Sequence, residues 1–378
     1  MDGNGSASQN SSEEICDSDS FNLDATAKVG QTLAYIAILV LSLVGNSLIA
    51  AVFYKEKNLR TTVDYFILNM AFSDVLFSLT GAPRRITEIL SSPYEWYVDG
   101  FLGEALCRVI YIVQDVSTAV SIESLVVIAV DRFRSIVFPL KPNFVTLSVR
   151  RVLIFLTWIL GFGFHAPYIY TWRLSAQGNK TLCISSWTPL YENDEVIKEY
   201  FLVLSFFLFI LPMVTLILLY SIIIVRLRER KVKENRCSSN QQNSWNKRTR
   251  NVLQTVIAVV VVFAISWLPF NVFVYLILFY WDLNPSCVVR TVYMYIVILA
   301  HANNAINPYV IFSFSTNYRQ GLKALYCSLK MKPRLIEAQG TLDIDSNKKG
   351  HKSSHRLPRT TPTSDKIEDF PDCFDTRL

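Results

Sequence analysis

ALCRVIYIVQDVSTAVSIESLVVIAVDRF, residues 105–133, holds an apolar run over 105–130 long enough to cross a bilayer, and it closes on Asp131-Arg132-Phe133. At 1.5 Å per residue, about 20 apolar residues span the ~30 Å hydrocarbon layer as a helix, which satisfies its own backbone where water is absent. Six further runs of this kind stand at 32–54, 65–90, 152–171, 200–225, 252–279 and 289–314. The chain is 51% hydrophobic over 378 residues, a balance that soluble chains of this size rarely show. These runs predict an all-α membrane protein, a seven-transmembrane helix bundle whose termini lie on opposite sides.

Charge sets the orientation. Lys55, Lys57 and Arg60 follow the first run, Arg134, Lys141, Arg150 and Arg151 separate the third from the fourth, and a dense basic stretch from Arg226 to Arg250 follows the fifth. The positive-inside rule makes these loops cytoplasmic. The first 30 residues carry Asp2, Glu13, Glu14, Asp17, Asp19 and Asp24 against Lys28 alone, so the N-terminus is expected outside. Glycosylation sequons at Asn4, Asn10 and Asn179 all fall on that same side. The net charge of +6 then reflects inner loops facing anionic lipid and cytosolic partners, with no nucleic-acid partner implied.

The seven cysteines divide by compartment, with Cys16, Cys107, Cys183 and Cys287 outside, where disulfides persist. Cys107 with Cys183 is the first pairing expected, laying the loop between the fourth and fifth runs across the bundle; Cys16 with Cys287 is a second. Four histidines in total, with no cysteine spacing suited to zinc, give no metal site.

Polar groups within the runs are costly in lipid unless they face the interior and find partners. Asp74, Ser121, Asn303, Asn304 and Asn307 lie at comparable depth and suggest a hydrated cavity for a sodium ion, the only cofactor-like group expected. Pro83, Pro167, Pro212, Pro269 and Pro308 are each expected to remove a backbone hydrogen bond inside a span and permit a bend.

Taken in order, these residues resemble the rhodopsin-like G-protein-coupled receptors over roughly 30–330. The likeness rests on Gly45-Asn46, Asn69 to Asp74, Cys107, Asp131-Arg132-Phe133, Trp158, Pro212, Tyr220, Phe263 to Phe270 with Trp267 and Pro269, and Asn303-Asn304-Ala-Ile-Asn307-Pro308. The resemblance implies a receptor that binds a ligand outside and promotes nucleotide exchange on a cytosolic heterotrimeric G protein. It implies that Asp131 holds Arg132 at rest, and that Ile122, Pro212, Phe263 and Trp267 form the packing switch. The 25 residues from Cys107 to Arg132 make about 37 Å of helix, which puts the arginine at the inner face. The stretch from Tyr318 to Cys327 resembles a short amphipathic eighth helix, with Cys327 a palmitoylation candidate. Two departures stand out. The tyrosine usual three residues after the seventh-span proline is Ile311 here, with Tyr309 nearby, which puts coupling through Tyr220 in question. Thr249 replaces an acid that many relatives use to restrain the arginine.

The ligand class follows from the same comparison. The place of a retinal-binding lysine holds His301, and the place of the amine-pairing aspartate holds Gln114, with Asp115 beside it. Glutamine there is similar to the neuropeptide Y, neuropeptide FF and orexin receptor groups, which implies a peptide ligand. Glu88, Glu95, Asp99, Glu104, Glu192, Asp194, Glu195 and Glu199 give an acidic outer surface suited to a cationic, arginine-bearing amidated peptide, although Arg84 and Arg85 oppose that picture. The expected pocket comprises Gln114, Asp115, Trp267, Phe270, Asn271 and His301.

The organisation expected is an extracellular glycosylated tail over 1–31, a receptor domain with its eighth helix over 32–327, and a cytoplasmic tail over 328–378. The tail's Thr360, Thr361, Thr363 and Ser364 suit receptor kinases and arrestin, and its closing Thr376 and Leu378 suit a PDZ-domain protein. No repeat, nucleophile–base pair or metal motif supports a transporter or an enzyme. The alternatives are a receptor for an amine or lipid, and a non-coupling scavenger or partner receptor, to which Ile311 points.

Overall fold

The structure, a computed structural model, describes residues 24–57, 59–139, 145–234, 240–328 and 330. Seven long helices form one bundle: α1 Ala25–Lys55, α2 Thr62–Leu90, α3 Gly100–Val137, α4 Leu147–His165, α5 as Asn193–Ser205, a π turn Phe206–Ile210 and Leu211–Glu234, α6 Asn240–Phe279, and α7 Cys287–Phe314. A further helix, α8, covers 316–328. Among the described residues, α1 to α6 each contain a segment long and apolar enough to span a bilayer. In α7 the cluster His301, Asn303, Asn304 and Asn307 dilutes the apolar run, yet the helix packs against α1, α2 and α6 as the seventh member. Large apolar side chains such as Phe155, Leu160, Ile217, Leu218 and Ile265 face outward, a belt that fits lipid rather than water.

Local chemistry sets the helix starts. Thr61 caps α2 through a reciprocal pair: its backbone N–H donates to Asp64 Oδ2 at 2.9 Å while its hydroxyl accepts from the Asp64 N–H. Thr146 caps α4 by accepting from the Val149 N–H. The first helix begins at Ala25 rather than 32. The fourth ends at His165 rather than 171, so Pro167 is not inside a span; it opens the short turn Tyr168–Thr171 instead. Pro83, Pro269 and Pro308 do lie within helices, and so does Pro212, the second residue of the segment Leu211–Glu234 that follows the π turn.

Polar hooks join the helices. The Asn46 amide donates to the Asn304 carbonyl at 3.1 Å, linking α1 to α7. Asn69 donates to Ser124 Oγ at 3.0 Å and accepts from Trp158 Nε1 at 3.0 Å, linking α2, α3 and α4. Beside the first hook, a Cβ added at Gly45 would stand 2.8 Å from Pro308 Cβ, because the proline in α7 comes this close to α1. Gly45→Val is therefore expected to cut cell-surface receptor several-fold and lower the melting temperature of what remains, overpacking of this kind costing about 1–3 kcal/mol. Flow cytometry and a thermal-shift assay check it.

At one end of the bundle, β1 Trp172–Gln177 and β2 Lys180–Ser185 pair antiparallel, with Leu174 opposite Cys183. Gly178, at φ 59°, allows the tight turn between them. The hairpin is bonded to the 91–99 loop through Trp96 N–H to Thr181 O and Cys183 N–H to Tyr94 O. The disulfide Cys107–Cys183 fastens it to α3, as the first expected pairing has it. Cys287 is also disulfide-bonded; Cys16, the partner named for it from the sequence, lies outside the described residues.

Candidate functional site

A cavity of about 330 Å³ opens under the hairpin, and all six residues expected to form the pocket line it: Gln114, Asp115, Trp267, Phe270, Asn271 and His301. Their polar groups are largely engaged already. Gln114 Oε1 accepts from Arg84 at 3.2 and 3.4 Å, and its amide lies 3.5 Å from His301 Nε2. Asp115 Oδ2 accepts from the Tyr168 hydroxyl at 2.8 Å. Asn271 donates to the Trp267 carbonyl and accepts from Ser205 Oγ. Gln114 and Asn271 therefore brace the pocket, and aromatic faces supply much of what a ligand would touch. Trp267 packs edge to face on Phe270, with centroids 5.4 Å apart.

The sequence reading missed a charged cluster on α2. Arg84 Nη1 donates to Glu88 Oε1 at 2.5 Å and Arg85 Nη1 to Glu88 Oε2 at 2.9 Å. Arg84 also lies 4.6 Å over the Tyr111 ring, whose other face stacks on Trp172 of the hairpin at 3.3 Å. Two cations and an acid one helical turn apart inside an apolar run were the available signal. Neighbouring this pocket is a second cavity of about 340 Å³, and Arg85, Tyr94 and Tyr293 line both.

The acidic surface expected to draw a cation is partly consumed within the fold. Glu88 is held by both arginines, Glu95 pairs with Lys180, Glu104 pairs with Arg108, and Asp99 accepts from Thr181. Glu192, Asp194, Glu195 and Glu199 remain exposed.

Below the pocket, Phe263 stacks on Trp267 at 6.1 Å and faces Phe209 at 6.5 Å, with Ile122 buried in the same cluster and Pro212 buried on α5. Phe263 and Trp267, which line the pocket, thus stand where its floor meets the core. Three of the four residues expected at a sodium site are joined: Asp74 accepts from Ser121 Oγ at 3.1 Å through Oδ1 and from Asn307 Nδ2 at 3.1 Å through Oδ2, with Asn303 buried one turn before Asn307 on α7. Among the described residues Asn303 Oδ1 and Nδ2 and Asn307 Oδ1 are buried without a partner. A carboxylate, a hydroxyl and two unsatisfied amide oxygens are hard oxygen donors suited to a small cation.

At the opposite end, Arg132 donates through Nε at 3.1 Å and Nη2 at 2.5 Å to Asp131 Oδ2. Arg132 lines a cavity of about 330 Å³ with Asp64, Thr255, Asn317 and Tyr318. Ile311 is buried in the core, and Tyr309 cannot stand in for a hydroxyl there, because its own faces α1 and donates to the Leu41 carbonyl. The Tyr220 hydroxyl is buried and, among the described residues, unpartnered. Cys327, the palmitoylation candidate, stands in α8. Asn179 sits exposed at the hairpin turn; Asn4, Asn10, Thr360, Thr361, Thr363, Ser364, Thr376 and Leu378 lie outside the described residues.

An aromatic chamber at one end of a membrane bundle, a restrained arginine in a cavity at the other, and packed aromatics between them have the build of a transmembrane receptor. The chain belongs to the rhodopsin family of 7 transmembrane receptors, whose model matches residues 45–310. It is a G-protein-coupled receptor by that membership. It is similar to neuropeptide FF receptor 2 of Rattus norvegicus, 27% identical over 333 residues, 83% of this chain and 78% of that one. The neuromedin-K receptor of Homo sapiens is 26% identical over 295 residues, covering 78% and 61%. The substance-P receptor of Meriones unguiculatus is 27% identical over 321 residues, covering 82% and 76%.

Proposed function

We propose that the hairpin end faces outward at the plasma membrane, that an extracellular neuropeptide binds there, and that the Arg132 end then promotes nucleotide exchange on a heterotrimeric G protein. The observation that carries this reading is the pair of adjoining cavities sharing Arg85, Tyr94 and Tyr293. Each matches the ~300 Å³ lower bound for a drug-sized ligand, so the two together suit several residues of a peptide better than a single small amine. The names of the similar receptors agree with it. Basic loops at the Arg132 end support the orientation. The test is G-protein activation in cells expressing the chain, challenged with short synthetic neuropeptides. A saturable response to at least one, absent from mock cells, is the expected result; silence with surface receptor confirmed would overturn the reading.

In this reading Asp74, Ser121, Asn303 and Asn307 hold a sodium ion that favours the resting state. Raising sodium at constant ionic strength is then expected to weaken agonist binding several-fold. Asp74→Asn should remove that dependence while a potassium control changes nothing, since the ion loses its only charged donor. Competition binding in sodium and potassium buffers measures it.

A further inference from the structure

We propose that the second cavity is a carboxylate subsite, so that the ligand carries a negative group seated among Arg85, Arg290 and Gln31. The inference deepens the peptide reading above and rests on it. Gln31 on α1, Arg85 and Glu88 on α2, and Arg290 and Tyr293 on α7 all line this cavity, with Tyr94 from the 91–99 loop.

The hydrogen-bond inventory of its walls is lopsided. Among the described residues Glu88 is the only carboxylate on them, and both its oxygens are taken, one by Arg84 and one by Arg85. Arg84 has further partners in Gln114 and the Tyr111 ring and hydroxyl, so it is satisfied without a ligand. Arg85 has no such second set: its Nε is buried and, among the described residues, has no partner. The Gln31 amide nitrogen is likewise unpartnered among the described residues, on a residue only 2% exposed. Arg290 makes no ion pair among the described residues.

Three donor-bearing residues from three helices thus line one cavity whose acid is already occupied. Two guanidiniums share one carboxylate, and Arg290 adds another positive charge. Buried donors without acceptors are expensive, and a carboxylate is the group whose two oxygens answer several such donors at once while cancelling the surplus charge. The wall that Arg85, Tyr94 and Tyr293 share with the first cavity fixes the ligand's layout. Its apolar side chains lie against Trp267 and Phe270, and its carboxylate lies close by in sequence, as a free C-terminus or as an aspartate or glutamate side chain. The same geometry runs against an amidated peptide whose only charge is an arginine.

The test uses the full-length receptor in cells and a panel of short synthetic neuropeptides, each made as free acid, as C-terminal amide, and with each acidic residue changed singly to its amide. Binding is read by competition with a labelled active peptide and signalling by G-protein activation. Neutralising one carboxylate of the active peptide is expected to lower affinity about 30-fold or more, the scale of a buried charge pair losing one partner. The acid-versus-amide arm reports a C-terminal source, and the side-chain arms report an internal one. In Arg290→Glu the acidic peptide should lose affinity, and its lysine-substituted analogue should regain it; Gln31→Leu should cost a smaller factor. Neither variant disturbs the Glu88 pairs, and surface expression controls for folding.

An active peptide indifferent to neutralisation of every carboxylate would overturn the subsite while leaving the peptide reading intact. An Arg290→Glu loss that is the same for acidic and lysine-substituted peptides would also overturn it, pointing to an acid of the receptor itself. No active peptide in the panel, with surface receptor confirmed and an active response from Asp131→Asn, would overturn both.

Discussion

Cys183→Ser is expected to reduce specific ligand binding to under about a tenth of the wild-type level, because it frees the hairpin from α3. The bond closes a sequence separation of 76, for which the chain-entropy estimate gives about 4–5 kcal/mol. Loss of that constraint reaches further than stability. Trp172 stacks on Tyr111, whose other face lies under Arg84, so a loose hairpin uncovers the arginine that braces Gln114. Tyr94 loses its place as well, since its carbonyl accepts from the Cys183 N–H and its side chain lines both cavities. Saturation binding on intact cells, normalised to surface receptor, separates the pocket effect from the folding effect. Cys107→Ser should match it and the double substitution should add nothing, because either change alone breaks the same bond.

The second large effect belongs to the Asp131–Arg132 pair. Asp131→Asn is expected to raise ligand-independent G-protein activation about 10-fold or more, since charge-assisted hydrogen bonds contribute about 1.5–3 kcal/mol and each 1.4 kcal/mol is tenfold in an equilibrium. Both contacts go to one oxygen, Asp131 Oδ2, at 3.1 and 2.5 Å, and Asp131 is buried. Neutralising it removes the charge that holds the guanidinium and leaves Arg132 facing the neighbouring cavity. Arg132→Ala acts in the opposite sense, abolishing activation in the wild-type and in the Asp131→Asn background alike. A guanine-nucleotide exchange assay on membranes, with and without agonist, reads all four combinations. Basal activity unchanged in Asp131→Asn would mean that this contact does not hold the resting state.

The bundle was legible because lipid imposes a length on apolar runs; the second and seventh spans fall within three residues of their sequence boundaries at both ends, and the other helices begin five to twelve residues earlier than expected. The fourth also ends earlier, since hydropathy continues through Ala166, Pro167 and Tyr168 while the backbone has already turned. The pocket residues were legible by position, whereas their bonding was not. Gln114 reads as a ligand contact until Arg84 is found holding its carbonyl. Similarly, the acids at 88, 95, 99 and 104 read as a field until Arg84, Arg85, Lys180, Arg108 and Thr181 are placed beside them. Sequence reports which groups exist, and cross-helix pairing decides which of them are still available.

Only Thr157, Gly161 and His165 of α4 are buried, and Trp158 reaches Asn69 through a single indole hydrogen bond. The helix is fastened along one side, with Gly161 pressed on Val116 of α3 and Leu153 and Ile154 packed against the core, while Val152, Phe155, Leu156, Ile159, Leu160 and Phe162 are exposed in a face suited to hydrocarbon. For this helix the acyl chains act less as a solvent than as the missing neighbour, pressing it against α3 from the side. Extraction into a loose micelle removes that lateral support first from α4. The choice of surfactant will therefore govern the shelf life of the purified receptor more than buffer or salt does.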